Sequence, residues 1–540
     1  MKDCREGGQG TSRVEDDGAA RAGYRSHMRQ IATGANWDNL LAQARGVAPE
    51  AFGADGRPLN LIGGEWKSPG RPRDTISPID GRVIGALPML QLDEAHAAVK
   101  VSAAQATVWA RVDLDERKRR VSESLDALRA HRDLIARLLI WEIGKPLKQA
   151  ETDVDRCVDG VAWYIDEIES MVEGRRPLGV VSNIASWNYP YSVLMHSVLV
   201  QALAGNAVIA KTPTDGGLFS LTVGFALAIR AGLPVTLLSG GGGELGPALV
   251  RGDDVGCLAF VGGRSSGRAV AASLYDGQKR HILEMEGVNA YGIWNYSDWP
   301  ALATQLRKGY DYGKQRCTAY ARFVVERKLF PRFLETYLDV AKKVSVGNPV
   351  AVEKEGDPLP TLDFGPLINR DQVKGLRGEI DDAVVAGAVP LYDAPLDKTR
   401  FIDGQDTSAY MAPAALLDAP RNGALYHREP FGPVDTITLV DSVQELVAEM
   451  NVSNGSLVGS IGTDDSNLAR ELAPEIRSFK IGVNTVRSRG DREEVFGGIG
   501  QSWRGAFVGG KLLVQAVTEG APGERLYGNF PDYTLLPPRR

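Results

Sequence analysis

The chain has 540 residues, too many for one compact core, so two or three domains are expected. Hydrophobic residues at 43% and charged residues at 24% are ordinary for a soluble globular protein, and a net charge of −6 offers no basic footprint for nucleic acid. No apolar run reaches the length of a membrane span, the longest (Val193 to Ala204) being broken by His196 and Gln201.

Residues 1–58 read as an N-terminal extension, partly disordered or loosely docked. Met1 to Arg29 lacks the apolar core of a secretory signal. Its arginines (Arg5, Arg13, Arg21, Arg25, Arg29) suggest a transit peptide, but Glu6, Glu15, Asp16 and Asp17 are out of place in one. A short helix is predicted after Asn36, a suitable N-cap, through Trp37, Leu40 and Leu41. Leu61 to Trp66 reads as a hairpin edge, and Pro78 to Arg82 as a turn between strands. From Asp93 to Met171 the pattern is helical, with apolar sets such as Val121, Leu125 and Leu128, then Ile135, Leu138 and Leu139.

Alternation follows. Strand-like runs occur at Gly179–Ile184, Ala207–Lys211, Val235–Ser239, Cys257–Val261 and Arg280–Leu283, with helical segments such as Gly217 to Ala231 between them. This pattern predicts an α/β fold, a parallel sheet covered by helices. A second alternating series, from Tyr320 to about Val486, predicts another α/β domain.

The chemistry centres on Gln315-Arg316-Cys317-Thr318-Ala319 and, upstream, Leu283-Glu284-Met285-Glu286-Gly287. A thiol and a carboxylate suit covalent catalysis on a carbonyl, the thiolate attacking and the carboxylate later activating water. The plainer reading of Cys317 is a buried structural thiol. Phe260 to Gly267 follows a predicted strand and opens a helix, where glycines and unpaired N–H groups suit a pyrophosphate, though the spacing is not G-x-G-x-x-G. Gly240 to Glu244 lacks the Gly-Lys-Ser/Thr of a phosphate loop and reads as a flexible connection. Lys211 ends a strand, where such sheets bind nucleotides, although a lone lysine there is usually just solvated. Trp187-Asn188-Tyr189-Pro190 offers an amide for an oxyanion or merely a helix start, and Glu429-Pro430-Phe431-Gly432-Pro433 reads by itself as a turn. The four cysteines (Cys4, Cys157, Cys257, Cys317) and six histidines have no disulfide or zinc spacing, so no metal and a reduced, cytoplasmic setting are expected.

Together with Gly144-Lys145-Pro146, Phe364-Gly365-Pro366-Leu367-Ile368 and Phe496-Gly497-Gly498, these motifs in this order resemble the aldehyde dehydrogenase superfamily from about Asn60 to about Gly510. The resemblance implies a Rossmann-like cofactor-binding domain (59–286), a catalytic domain with the nucleophilic cysteine (287–510) and a C-terminal extension (511–540). It implies oxidation of an aldehyde to a carboxylic acid with NAD or NADP, through a thiohemiacetal and a thioester. Cys317 would be the nucleophile, Glu284 the base, and Asn188 with the Cys317 N–H the oxyanion hole. Lys211 would hold the adenosine ribose, Gly262, Gly263 and Gly267 would lie beneath the pyrophosphate, and Glu429 and Phe431 would position the nicotinamide ribose and ring, with Trp187 beside the cofactor. The alternatives are a CoA-acylating member and a catalytically silent paralogue serving as a binding or scaffold protein.

Three departures stand out. Relatives usually carry glycine at the positions of Glu286 and Lys314, and a compensating Glu286–Lys314 ion pair is one expectation, with altered movement of Glu284 the other. Relatives also insert a hairpin arm where only Val172 to Pro177 stands, which leaves the usual homo-oligomer without its interface; Leu526 to Tyr533 offers a substitute interface or a packed tail. Thr214 replaces the glutamate common in NAD-preferring relatives and is similar to the NADP-using non-phosphorylating glyceraldehyde-3-phosphate dehydrogenases, so NADP is expected to be accepted and preferred, with Asp215 acting against it. Arg316, Arg487 and Arg489 either favour an aldehyde with an anionic tail or are solvated surface residues. His196 either lines the substrate pocket or is a satisfied core residue.

Overall fold

The computed structural model describes residues 29–68, 70–274, 279–452, 455–488 and 490–530. The arginine-bearing N-terminal 28 residues, Arg489 and the last ten residues of the tail lie outside these.

Two large sheets organise the chain. The first has nine strands in the order Gly528–Asn529, Trp503–Ala506, Arg280–Met285, Val255–Gly262, Val180–Ile184, Ala207–Lys211, Val235–Leu238, Asn60–Ile62 and Glu65–Lys67. Its five central strands are parallel and coincide with the five apolar runs of the sequence. Ala207–Lys211 is buried throughout, as a strand covered on both faces must be. Helices Leu92–Trp109, His196–Leu203 and Leu218–Arg230 supply much of the cover. Both edges are antiparallel: the predicted hairpin pairs Leu61 with Trp66, and at the other edge Trp503–Ala506 pairs with Arg280–Met285. The second sheet runs Val389–Asp393, Ala414–Leu417, Val434–Val440, Tyr320–Glu326, Asn289–Ile293, Ser456–Gly462 and Ser478–Val483, parallel except for its first strand.

Two expectations are corrected, and a third resolves to one of its alternatives. First, residues 29–58 are not loosely docked. Asn36 caps the helix Trp37–Val47, accepting from the Asn39 N–H (3.2 Å), and that helix buries Trp37, Leu40 and Ala44. Trp37 meets Phe219 edge-on (5.0 Å), the Trp141 indole donates to the Ala35 carbonyl (2.7 Å), and Gln30–Ile31 pairs with Ala351–Val352. Removing the cap with Asn36→Ala is expected to cost about 1 kcal/mol in unfolding free energy, measured by denaturant titration; no change would mean the segment contributes little.

Second, the glycine run is no flexible connection from Gly242 onward, because Gly242–Arg251 is helical. Glycine opposes a helix, but here burial of Leu245, Ala248, Leu249 and Val250 outweighs propensity.

Third, Gly528–Asn529 pairs within its own chain against Trp503–Ala506, and Tyr527 meets Phe507 edge-on (5.0 Å), so this part of the tail is packed. The connection after Val172 carries no arm; Arg176–Pro177 pairs briefly with Thr518–Glu519. No described helix is long and apolar enough to cross a membrane.

Candidate active site

The five parallel strands end along one edge of the first sheet. Their register sets Ile184 beside both Lys211 and Phe260, and Val261 and Gly262 beside Glu284 and Met285. In chain order these strands lie third, second, first, fourth, fifth, so the winding reverses between Val180–Ile184 and Val255–Gly262. Ligands bind at such a reversal, outside the carboxyl ends of the strands. Trp187 and Asn188 follow the first of these strands, Lys211 ends the second with Thr214 just beyond, Gly262 ends the fourth, and Glu284 lies in the fifth.

Cys317 reaches this edge from the second sheet, in the loop before Tyr320–Glu326. Tyr312, Gly313 and Lys314 are all left-handed (φ 57°, 60° and 60°), which folds the chain back sharply just before the cysteine. Asn188 Nδ2 donates to the Gln315 carbonyl (3.0 Å), and Asn289 Nδ2 donates to the Cys317 and Ala319 carbonyls (2.8 Å each). Ser186 Oγ donates to Asn188 Oδ1 and so fixes the amide's orientation, leaving one amide proton for a ligand oxygen. Asn289 and Ser186 escaped the sequence reading; an asparagine just after a strand–glycine turn was the available signal.

The other described cysteines are poor nucleophiles. Cys157 and Cys257 are fully buried, and burial pushes the Cys257 thiol up to about 12 and that of Cys157 well above its ordinary value. Cys317 is partly exposed.

Glu284 is 4% exposed and lies close enough to Glu429 to act on it. Burial, then Glu286 and Glu284, pushes the Glu429 carboxyl well above its ordinary range, with Arg264 opposing. Glu429 Oε1 is buried with no hydrogen-bond partner among the described residues, a vacancy for a donor such as a ribose hydroxyl. Phe431, also left-handed at φ 50°, meets Trp187 edge-on (5.8 Å) and carries this loop across to the first sheet.

As predicted, strand passes into helix at Gly262–Gly263, the helix being Arg264–Ser273 with Gly263 at its N-cap. A Cβ at Gly267 would lie 2.4 Å from Met285, whereas one at Gly263 would meet nothing within 4 Å. The helix is thus pressed against the neighbouring strand while its N-terminal turn stays open, a cradle that fits a pyrophosphate. Lys211 is nearly buried, donates to the Thr212 carbonyl (2.8 Å), and is held down to about 8 by burial and then by Arg73, Asp215 opposing. Thr214 is half-buried beside it. Together these residues fit a dinucleotide.

The expected Glu286–Lys314 pair does not form. Lys314 is 2% exposed and its Nζ donates to Asp435 Oδ1 (2.5 Å) and to the Tyr320 carbonyl (2.9 Å). Asp435 Oδ2 also accepts from Tyr337 (2.7 Å) and Tyr310 (3.1 Å). Glu286 instead faces Arg264 (3.9 Å), whose guanidinium reaches the Glu286 and His427 carbonyls (3.4 and 3.3 Å). Lys314 therefore anchors the cysteine loop inward, while Glu286 belongs to the cofactor side.

Of the candidate arginines, the described Arg316 and Arg487 are committed elsewhere. Arg316 donates to the Gly309 carbonyl (3.0 Å), closing a helix end, and Arg487 pairs with Glu494, as does Lys480 (2.9 Å). His196 packs on Gly160 and stands edge-on to Tyr164 (5.6 Å), against the long helix Leu147–Val172.

A winding reversal with a cysteine loop from a second α/β sheet tied to it is the arrangement of a dinucleotide-linked oxidoreductase. The sequence pattern of the aldehyde dehydrogenase family matches residues 66–519, and the chain belongs to that family. It is 25% identical over 448 residues to the D-glyceraldehyde dehydrogenase (NADP(+)) of Thermoplasma acidophilum, covering 78% of this chain and 87% of that enzyme. It is 27% identical over 471 residues to the NADP-dependent glyceraldehyde-3-phosphate dehydrogenase of Pisum sativum, covering 82% and 90%. Among solved structures it is similar in fold to the NADP-dependent glyceraldehyde-3-phosphate dehydrogenase of Bacillus halodurans C-125 complexed with NADP, with a TM-score of 0.75, 24% identity and coverage of 86% and 98%.

Proposed function

We propose that this chain oxidises an aldehyde to a carboxylic acid through a thioester on Cys317, with NAD or NADP as acceptor and NADP preferred. The observation that carries this reading is the hydrogen bond from Asn188 to the Gln315 carbonyl, which ties the cysteine loop to the edge that bears Glu284 and the cofactor cradle.

The Cys317 thiolate attacks the carbonyl carbon. The spare Asn188 amide proton and the Cys317 N–H stabilise the resulting oxyanion. A nicotinamide held here would supply the hydride acceptor. Lys211 and Thr214 would hold the adenosine ribose, the open turn at Gly262 and Gly263 would take the pyrophosphate while Gly267 only lets the helix pack on Met285, and Glu429, Phe431 and Trp187 would hold the nicotinamide end. Glu284 then takes a proton from water, which attacks the thioester and frees the acid and the thiol. Retention of Glu284 favours water over CoA as the resolving group, and the joint presence of Cys317, Glu284, Asn188 and Lys211 favours an enzyme over a silent scaffold. A cytoplasmic, reducing setting suits a reactive thiol.

The test is reduced-cofactor absorbance with a panel of aldehydes, both cofactors, and CoA present or absent. CoA-independent turnover favouring NADP is expected; strict CoA dependence, a large advantage for NAD, or silence with every aldehyde would overturn the corresponding part. A pH effect accompanies it. Lys211 loses its proton as pH rises through about 8, so NADP affinity should fall by about tenfold between pH 7 and 9.5, where the 2′-phosphate keeps its charge. Fluorescence titration measures this, and a flat profile would exclude Lys211 as a charged contact.

A further inference from the structure

Arg73 lies far from every motif that marks the cofactor site. It belongs to a two-stranded ribbon, Arg71–Ile76 against Val83–Met89, in which Arg73 stands opposite Leu87. Just past the ribbon the Leu90 N–H donates to the Ser239 carbonyl (2.8 Å), and Ser239 Oγ donates to Thr212 Oγ1 (3.1 Å). The ribbon is thereby fastened beside the segment that runs from Lys211 to Asp215.

Two contacts follow from this placement. The Arg73 guanidinium faces Asp215 at 3.9 Å, both side chains about half exposed (49% and 48%). Arg73 also lies near enough to Lys211 to depress its proton affinity, second only to burial. Two cations are thus held at one spot, with Asp215 the carboxylate that acts on both. Such an arrangement is unfavourable unless an anion completes it, and a dianion with several acceptor oxygens suits a guanidinium, an ammonium and a hydroxyl together.

We propose that Arg73 is a specificity-determining residue for the 2′-phosphate of NADP, exchanging Asp215 for the phosphate and binding it alongside Lys211 and Thr214. Asp215, which from sequence alone argues against NADP, becomes the resting partner that keeps Arg73 in place and competes with the phosphate for its guanidinium. This rests on the NADP reading above.

Direct binding of two fragments tests it without turnover: 2′,5′-ADP, which carries the phosphate, and 5′-AMP, which does not, each titrated by calorimetry. The wild-type chain should prefer 2′,5′-ADP. Arg73→Met should weaken 2′,5′-ADP by roughly tenfold and leave 5′-AMP within about twofold, while Asp215→Asn should tighten 2′,5′-ADP in the wild-type background. Both positions are exposed enough for the variants to fold. A wild-type chain without preference between the fragments would overturn the NADP reading and this inference together. A preference that survives Arg73→Met unchanged, or an equal loss for both fragments, would overturn the role of Arg73 alone.

Discussion

Replacing Cys317 with serine is expected to lower turnover by at least about a thousandfold, and Glu284→Gln is expected to give one equivalent of reduced cofactor per site and then slow by roughly 100- to 10,000-fold. A serine hydroxyl ionises far less readily than a thiol and is a much poorer nucleophile toward the carbonyl at neutral pH. In the proposed mechanism Glu284 enters only after the hydride has left. Its loss therefore stalls the enzyme as a thioester, detectable as an added acyl mass on the intact protein. Quench-flow absorbance with mass spectrometry measures both. Equal, burst-free loss in the two variants would show that Glu284 acts before, not after, acylation.

The second large effect concerns Lys314. Lys314→Met leaves Asp435 buried with only the Tyr310 and Tyr337 hydroxyls, and should cost about 3–5 kcal/mol of unfolding free energy. Lys314→Gly should cost less, because glycine relieves the left-handed backbone at φ 60°. The double variant Lys314→Met, Asp435→Leu should recover most of the loss, since it removes both charges, and the two tyrosine hydroxyls, 2.7 Å apart, can then bond each other. Chemical unfolding of these proteins, with Asp435→Leu alone to complete the cycle, decides the matter. Additive losses in the double variant would show that the two residues are not energetically coupled.

Much of the first sheet was legible because strands covered on both faces must be apolar, and such runs as Ala207–Lys211 announce themselves. The Asn36 cap and the turn from Gly262 into a helix were legible for similar local reasons. The Lys314–Asp435 pair was not, because its partners stand 121 residues apart and meet only when Tyr320–Glu326 pairs with Val434–Val440. Glu286, nearer in sequence and of the right charge, was the natural but mistaken partner; it follows the end of its strand and faces Arg264. Arg73 was invisible for a related reason, since a solvent-facing arginine in a hairpin carries no signal until the ribbon is fastened beside Thr212. The first helix was legible from its cap and from Trp37 and Leu40, but its docking was not, because Trp141 and Phe219 lie far along the chain.

That helix has a practical consequence. The family likeness begins at residue 66, so a protein trimmed to that boundary would look complete yet lack the strap formed by residues 29–58. It would bare the Trp141 indole and the Phe219 ring at the head of the helix that follows the Lys211 strand, and would cut the tie to Ala351–Val352. Shortened versions should therefore aggregate and bind dinucleotide weakly, and an affinity tag is better placed ahead of the strap than in exchange for it.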